Sequence, residues 1–174
     1  MAVTWKKLAY AADVLANVVE DTTPQLGGEL DLNNKNILHA IPGSDLISNG
    51  AIISATVDTN AEGIGAPLFM AADGHFDTAD ADASTTAPCV AIALETGTGT
   101  KKVLLCGVIR NDAWNWTIGP GRAGLIFLSP TVGTLMQTTD FSEFGTDDVI
   151  QVVGWAISAD VMFFCPQLNY ITKV

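Results

Sequence analysis

Short apolar runs recur between residues 50 and 174 at a spacing of about ten residues, and turn-forming residues separate them. Residues 51–57 and 66–71 are examples, and residues 89–94 and 125–128 are apolar throughout. No long helical pattern accompanies these runs. The sequence therefore predicts an all-β body, either a compact β-sandwich or a small β-barrel.

Individual turns and strands follow from the same pattern. The Thr-Gly-Thr-Gly-Thr stretch at 96–100 separates the runs 89–94 and 102–109, which predicts a hairpin. Residues 149–157 read as one strand, and Gly154 inside it indicates a bulge or a close backbone approach.

Residues 1–48 differ from this body because they are irregular and polar in patches. Pro24 and Gly27-Gly28 interrupt the segment, and Asp13 precedes one or two helical turns at most. The segment is too small to hold a core of its own, so it lies either on the rest of the chain or on neighbouring copies. We therefore predict an extended N-terminal arm for attachment over residues 1–48 and a β-domain over residues 49–174.

The charge balance excludes several function classes. The chain has 8 Lys and Arg against 19 Asp and Glu, so its formal net charge is −11, while 48% of its residues are hydrophobic. A chain this apolar is not a disordered acidic tail. A surface that repels phosphate argues against nucleic acid as a partner and against an anionic membrane surface. No apolar run approaches the roughly 18 residues of a membrane span, and we read no secretory signal.

The sequence offers little that indicates catalysis. His39 and His75 have no evident partner, and His75 reads as an exposed turn residue. No Gly-x-Ser-x-Gly or His-Glu-x-x-His occurs, and Gly97-Thr-Gly-Thr-Lys-Lys lacks the spacing of a phosphate loop. The cysteines Cys89, Cys106 and Cys165 fit no zinc pattern and read as buried, reduced thiols. We predict a non-enzyme without cofactors.

An acidic stretch carries the one weak indication of a metal. Asp77, Asp80 and Asp82 lie close together in sequence, and no Lys or Arg occurs between Asn36 and Thr100. Hard cations such as Ca²⁺ prefer several oxygen ligands from one loop, but the spacing is not that of an EF-hand. A solvated acidic loop is the favoured interpretation, with these three residues as weak candidate ligands.

Two tryptophans form a candidate binding platform. Trp114 and Trp116 alternate, as residues on one side of a strand do, and aromatic rings placed in this way stack on sugars. Aromatic side chains also fill sandwich cores and subunit interfaces. The pair is therefore a possible glycan platform, with core or subunit packing as the favoured alternative.

Two stretches of the N-terminal segment resemble a known group of proteins. Residues 21–37, Asp-Thr-Thr-Pro-Gln-Leu-Gly-Gly-Glu-Leu-Asp-Leu-Asn-Asn-Lys-Asn-Ile, resemble an element of tail-fibre and other virion proteins of tailed bacteriophages. Residues 4–10, Thr-Trp-Lys-Lys-Leu-Ala-Tyr, resemble the start of such proteins. The body, from Gly65-Ala-Pro-Leu to Val149-Ile-Gln-Val-Val-Gly-Trp-Ala, resembles the small β-domains of phage decoration proteins and fibre heads.

The resemblance implies a non-enzymatic virion structural protein, often a homotrimer, located on the outside of the capsid or on the tail. Its partners would be other copies of itself and either the major capsid protein or tail proteins, after assembly in the host cytoplasm. The expected attachment residues all lie in the N-terminal segment: Trp5, Leu8, Tyr10, Thr23, Pro24, Leu26, Leu30, Leu32 and Ile37.

Two other functions remain open. One is a carbohydrate-binding, receptor-binding module of a tail fibre that recognises a host glycan through Trp114 and Trp116. The other is a hydrolase of surface polysaccharide, for which paired carboxylates would be required.

Overall fold

The computed structural model describes residues 41–60 and 62–174, except for the side chain of Arg122. Within this part of the chain the regular structure consists of β-strands and one short 3-10 helix, Gly121–Gly124. The expected all-β fold class is confirmed. The strands are β1 (Ser48–Val57), β2 (Pro67–Met70), β3 (Phe76–Thr78), β4 (Ala91–Ala93), β5 (Gly99–Arg110), β6 (Leu125–Leu128), β7 (Leu135–Met136), β8 (Val149–Ile150), β9 (Val152–Ala156), β10 (Val161–Phe164) and β11 (Ile171–Thr172).

The first five strands close into a small barrel. Around it the order is β1, β3, β2, β4 and β5, and β5 pairs again with β1. The β1–β3 pairing is parallel and the other four pairings are antiparallel. A sheet that returns to its first strand is a barrel, so β1–β5 form a small barrel, while the rest of the body continues as an open sheet. The expected hairpin is also present, formed by β4 and β5.

A second set of strands continues from β5. The end of β5 pairs with β10, which is followed by β9, β6 and β7 in the same sheet. β8 and β11 form a separate two-stranded sheet. β5 therefore belongs both to the barrel and to the second set of strands. Its adjacent residues Val103 and Leu104 are buried in two different core clusters. The larger cluster contains, among others, Ile109, Ile126, Phe127, Met162 and Phe164.

Glycine permits close strand approach at two places. Gly50 of β1 faces Gly107 of β5, and a Cβ on Gly107 would lie 2.2 Å from the carbonyl oxygen of Asn49. A Cβ on Gly154 of β9 would lie 2.2 Å from the carbonyl oxygen of Phe163. The close approach expected at Gly154 is confirmed, and the β6–β9 register shifts between Ile126 and Phe127 beside it.

The strand expected over residues 149–157 is interrupted at Gln151, whose side chain is fully buried. Its amide oxygen accepts a hydrogen bond from the Cys89 N–H at 2.7 Å. Its amide nitrogen donates to the carbonyl oxygens of Cys89 and Gln167, both at 2.8 Å. Gln151 thus satisfies backbone groups that no strand partner reaches, which explains why a polar side chain occupies the core.

Candidate functional site

The predicted attachment residues, from Trp5 to Ile37, lie outside the described residues, as does His39. Their role and the boundary at residue 48 stay predictions. The described chain enters its first strand at Ser48.

The prediction that Trp114 and Trp116 lie on a strand is wrong. Residues 111–119 contain no strand, since the Trp114 N–H bonds to Asn111 while the Trp116 N–H bonds to Ala159 on a different segment. The two ring centroids are 5.2 Å apart and the ring planes meet at 46°. Both rings are half-buried and pack against the larger core. The packing of both rings against the core fits the expected role in core packing. A flat platform for a sugar would require two rings that are closer to coplanar.

Two carboxylates of the acidic loop accept hydrogen bonds, one from Thr59 on a neighbouring segment and one from within the loop. Asp77 accepts a hydrogen bond from the Thr59 hydroxyl at 3.0 Å. Asp80 accepts from the Asp82 N–H at 3.1 Å and from the Thr86 hydroxyl at 2.7 Å. These contacts fit the solvated-loop interpretation, and among the described residues the three aspartates do not form a joint ligand cluster.

A different acidic group surrounds His75. Its Nδ1 lies 2.8 Å from Asp58 Oδ2 and 3.6 Å from Asp73 Oδ2. The hydrogen bond to Asp58 is the main cause that raises the pKa of His75 above its usual value. The three side chains are close enough to share a cation. They are also open to water, and the ion pair accounts for their geometry. The pairing of Val57 with Phe76 brings Asp58 to His75, so sequence spacing alone could not reveal the contact.

The clearest surface feature is an apolar groove of about 550 Å³ beside β9. Its walls come from strands β6 and β9 of the large sheet and from the β8–β11 pair. We call it the Trp155 groove. Its lining has no charged side chain and includes Leu125, Phe141, Ile150, Trp155, Tyr170 and Ile171.

Strand register explains why the groove is apolar. Trp155 lies opposite Phe163 on one side and opposite Leu125 on the other. Phe163 in turn lies opposite Val108 of β5. Directly opposite residues share a face of the sheet, so these four form one apolar row across four strands. Trp155 and Phe163 stack at 4.6 Å, yet Trp155 remains 47% exposed and Ile171 65% exposed. Local sequence patterns do not reveal this row, because it depends on a register between distant strands.

The three thiols differ in their surroundings. All three are free, as expected, but only Cys89 is buried, and burial raises its pKa to about 12. The expectation that Cys106 and Cys165 are also buried is wrong, since both are half-exposed. Cys165 lines the Trp155 groove.

A polar cleft of about 310 Å³ contains the carboxylates of Asp140 and Glu143. Asp140 accepts hydrogen bonds from the Ser142 N–H and hydroxyl at 3.0 and 2.9 Å. The Ser142 N–H is the main cause that lowers the pKa of Asp140. A general acid of a glycosidase needs a raised pKa, so Asp140 is not suited to that role in the hydrolase hypothesis.

The sequence matches no protein-family model and no curated protein, and no solved structure matches the chain. Among the described residues, no helix has the length and apolar character of a membrane span.

Proposed function

We propose that this chain is a non-enzymatic structural subunit of a bacteriophage virion, an exterior capsid decoration or fibre protein. In this proposal residues 1–48 attach the subunit to capsid or tail proteins, and the β-domain projects and contacts other copies of the chain in a homotrimer. The observation that carries the self-association is the Trp155 groove, an apolar surface that residues 41–60 and 62–174 leave uncovered on an otherwise acidic protein. The placement on a virion rests on the resemblance of residues 4–10 and 21–37.

Charge supports a second copy of this chain as the occupant of the groove. Two copies that each carry a net charge of −11 repel one another over most of their surfaces. The groove lining has no charged side chain, so contact between two copies through this lining brings no like charges together. Burying Trp155 and Ile171 there also removes apolar area from water, which favours association.

Light scattering on the full chain after size exclusion tests the self-association. We expect a mass three times the 18.2 kDa of one chain. Trp155→Glu should shift the protein to monomer with an unchanged circular dichroism spectrum, because a carboxylate in an apolar interface is strongly disfavoured. Val132→Glu is the matched control, since Val132 is also 47% exposed but lies outside the groove, and this variant should stay associated.

A wild-type chain that stays monomeric at all concentrations would contradict self-association. A Trp155→Glu variant that assembles like the wild type would refute the groove as the interface. Placement on the virion is tested separately by antibody labelling of particles of the phage that encodes the chain. Unlabelled particles would remove that part of the proposal.

A carbohydrate-binding function is the second candidate, and the composition of the groove supports it. Trp155 and Tyr170 offer aromatic faces beside the amides of Gln167 and Asn169, which can hydrogen-bond sugar hydroxyls. A glycan array is the test. Binding lost on Trp155→Ala would place the glycan in the groove, and binding lost on Trp116→Ala in a folded variant would place it at the tryptophan pair. An array without any bound glycan would eliminate this candidate.

A further inference from the structure

Two of the three cysteines face each other across neighbouring strands. In the β10–β5 ladder, Val161 lies opposite Arg110 and Phe164 lies opposite Gly107. One further step in the same antiparallel register places Cys165 opposite Cys106. Directly opposite residues direct their side chains to the same face of a sheet, so the two thiols share a face.

The backbone groups of both residues point away from this contact. The Cys165 N–H donates to the Val153 carbonyl oxygen on β9, at 2.9 Å. The Cys106 carbonyl oxygen points towards β1, because a Cβ on Gly50 would lie 2.2 Å from it. Cys106 and Cys165 therefore form a non-hydrogen-bonded pair, the type with the shorter Cα–Cα separation of about 4.5 Å. That separation lies within the range that disulfides span.

The two thiols also interact, and both are partly exposed. Interaction with the Cys165 side chain contributes, after burial, to the raised pKa of Cys106. Both residues are half-exposed, and Cys165 lines the open Trp155 groove. Cys89, in contrast, is fully buried and has its thiol directed to the carbonyl oxygen of Ala91.

We propose that Cys106 and Cys165 form a cross-strand disulfide when the folded protein meets a low-molecular-weight disulfide such as oxidised glutathione. The thiolate of one cysteine attacks a sulfur of the glutathione disulfide and releases one glutathione. The thiolate of the other cysteine then attacks this mixed disulfide and releases the second glutathione. The two cysteines together lose two protons and two electrons, and one glutathione disulfide is reduced to two glutathione thiols.

The bond would fasten β5, the strand shared by both core clusters, to the end of β10. It would form once the chain leaves a reducing compartment, and the exteriors of cells and virions are oxidising. The opposition of the two cysteines follows from the register of β5 and β10 and does not depend on the proposed function. Because a second copy in the groove would cover Cys165, the wild type is tested at low concentration and compared with Trp155→Glu. A failure of self-association and a failure of disulfide formation can then be told apart.

The experiment treats the native full chain with oxidised glutathione at pH 8.5, since a higher pH increases the thiolate fraction of a thiol with a raised pKa. Free thiols are then counted after denaturation. We expect the count to fall from three to one and to return to three with dithiothreitol. Trypsin cleaves after Lys and Arg and leaves the three cysteines on three peptides, so mass spectrometry without reduction identifies the link. The expected product joins peptide 103–110 to peptide 123–173.

Cys89→Ala is the control and should form the same linked peptides, whereas Cys106→Ser and Cys165→Ser should not. Linked peptides in the wild type support the proposal even if a serine variant fails to fold. Three free thiols after treatment would overturn it, as would persistent glutathione adducts on both cysteines or a link to the Cys89 peptide.

Discussion

Replacing Gln151 by methionine tests whether one buried amide holds two segments of the chain together. Methionine has nearly the same length and volume but cannot form the three hydrogen bonds that Gln151 makes with the backbone of Cys89 and Gln167. The variant leaves the Cys89 N–H and carbonyl oxygen unpaired at a position without solvent exposure. The perturbation therefore removes polar partners while it keeps the packing.

The loss of stability follows from the two backbone groups of Cys89 that no longer have a hydrogen-bond partner. A buried backbone group without a partner costs about 1–3 kcal/mol, so Gln151→Met should lower the free energy of unfolding by about 2–6 kcal/mol. For a chain of this length each kcal/mol shifts the melting temperature by about 2–4 °C, which predicts a loss of at least about 4 °C. Urea unfolding followed by tryptophan fluorescence measures the free energy, and calorimetry measures the melting temperature.

Gln137 provides a matched control because it makes the same kind of bridge in an open place. Its oxygen accepts from the Thr117 N–H at 2.7 Å, and its nitrogen donates to the Thr117 and Ala123 carbonyl oxygens at 3.0 and 3.3 Å. Gln137 lines the polar cleft, where water can replace the lost bonds. Gln137→Met should cost less than about 1 kcal/mol. Equal losses in the two variants would refute the argument from burial.

Two further predictions concern the barrel. Because Asp58 raises the pKa of His75, this pair stabilises the fold fully below the ordinary histidine pKa of 6.5, and the contribution disappears as pH rises through the folded-state value. His75→Gln should therefore be destabilising in urea at pH 5.5 and close to neutral at pH 8.5; a loss that does not depend on pH would contradict the ion pair. Gly107→Ala would place a Cβ 2.2 Å from the Asn49 carbonyl oxygen and should cost at least about 2 kcal/mol in urea unfolding. Gly43→Ala, with no atom within 4 Å of the new Cβ, is its control, and similar stabilities of the two variants would argue against the close approach.

Local sequence patterns predicted the strands better than the surfaces. The hairpin of β4 and β5 and the close approach at Gly154 followed from apolar runs and glycine positions, which act within a few residues. The local pattern did not predict the short strand β3. Its residues, Phe76–Thr78, lie at the edge of the acidic stretch, and they form a strand because β1 and β2 pair with them. Local alternation also suggested a strand at Trp114 and Trp116, where tertiary packing holds the chain in an irregular path.

The candidate site was harder to predict because its parts are distant in sequence. The Trp155 groove combines Leu125, Trp155 and Tyr170 from three segments, and only the register of the sheet brings them together. The contact between His75 and Asp58 and the opposition of Cys106 and Cys165 depend on register in the same way. Periodicity indicates which residues are apolar, but it does not indicate which strands become neighbours.

The double use of β5 has a consequence for how the protein unfolds. Because Val103 and Leu104 belong to different clusters but are adjacent in one strand, neither cluster can melt without disturbing the strand that supports the other. The barrel and the β10–β9–β6–β7 strands should then lose structure in one cooperative transition, with equal calorimetric and van't Hoff enthalpies. A protein that unfolds in this way cannot lose half of its fold while the other half persists, a property that would suit the proposed role in an assembly.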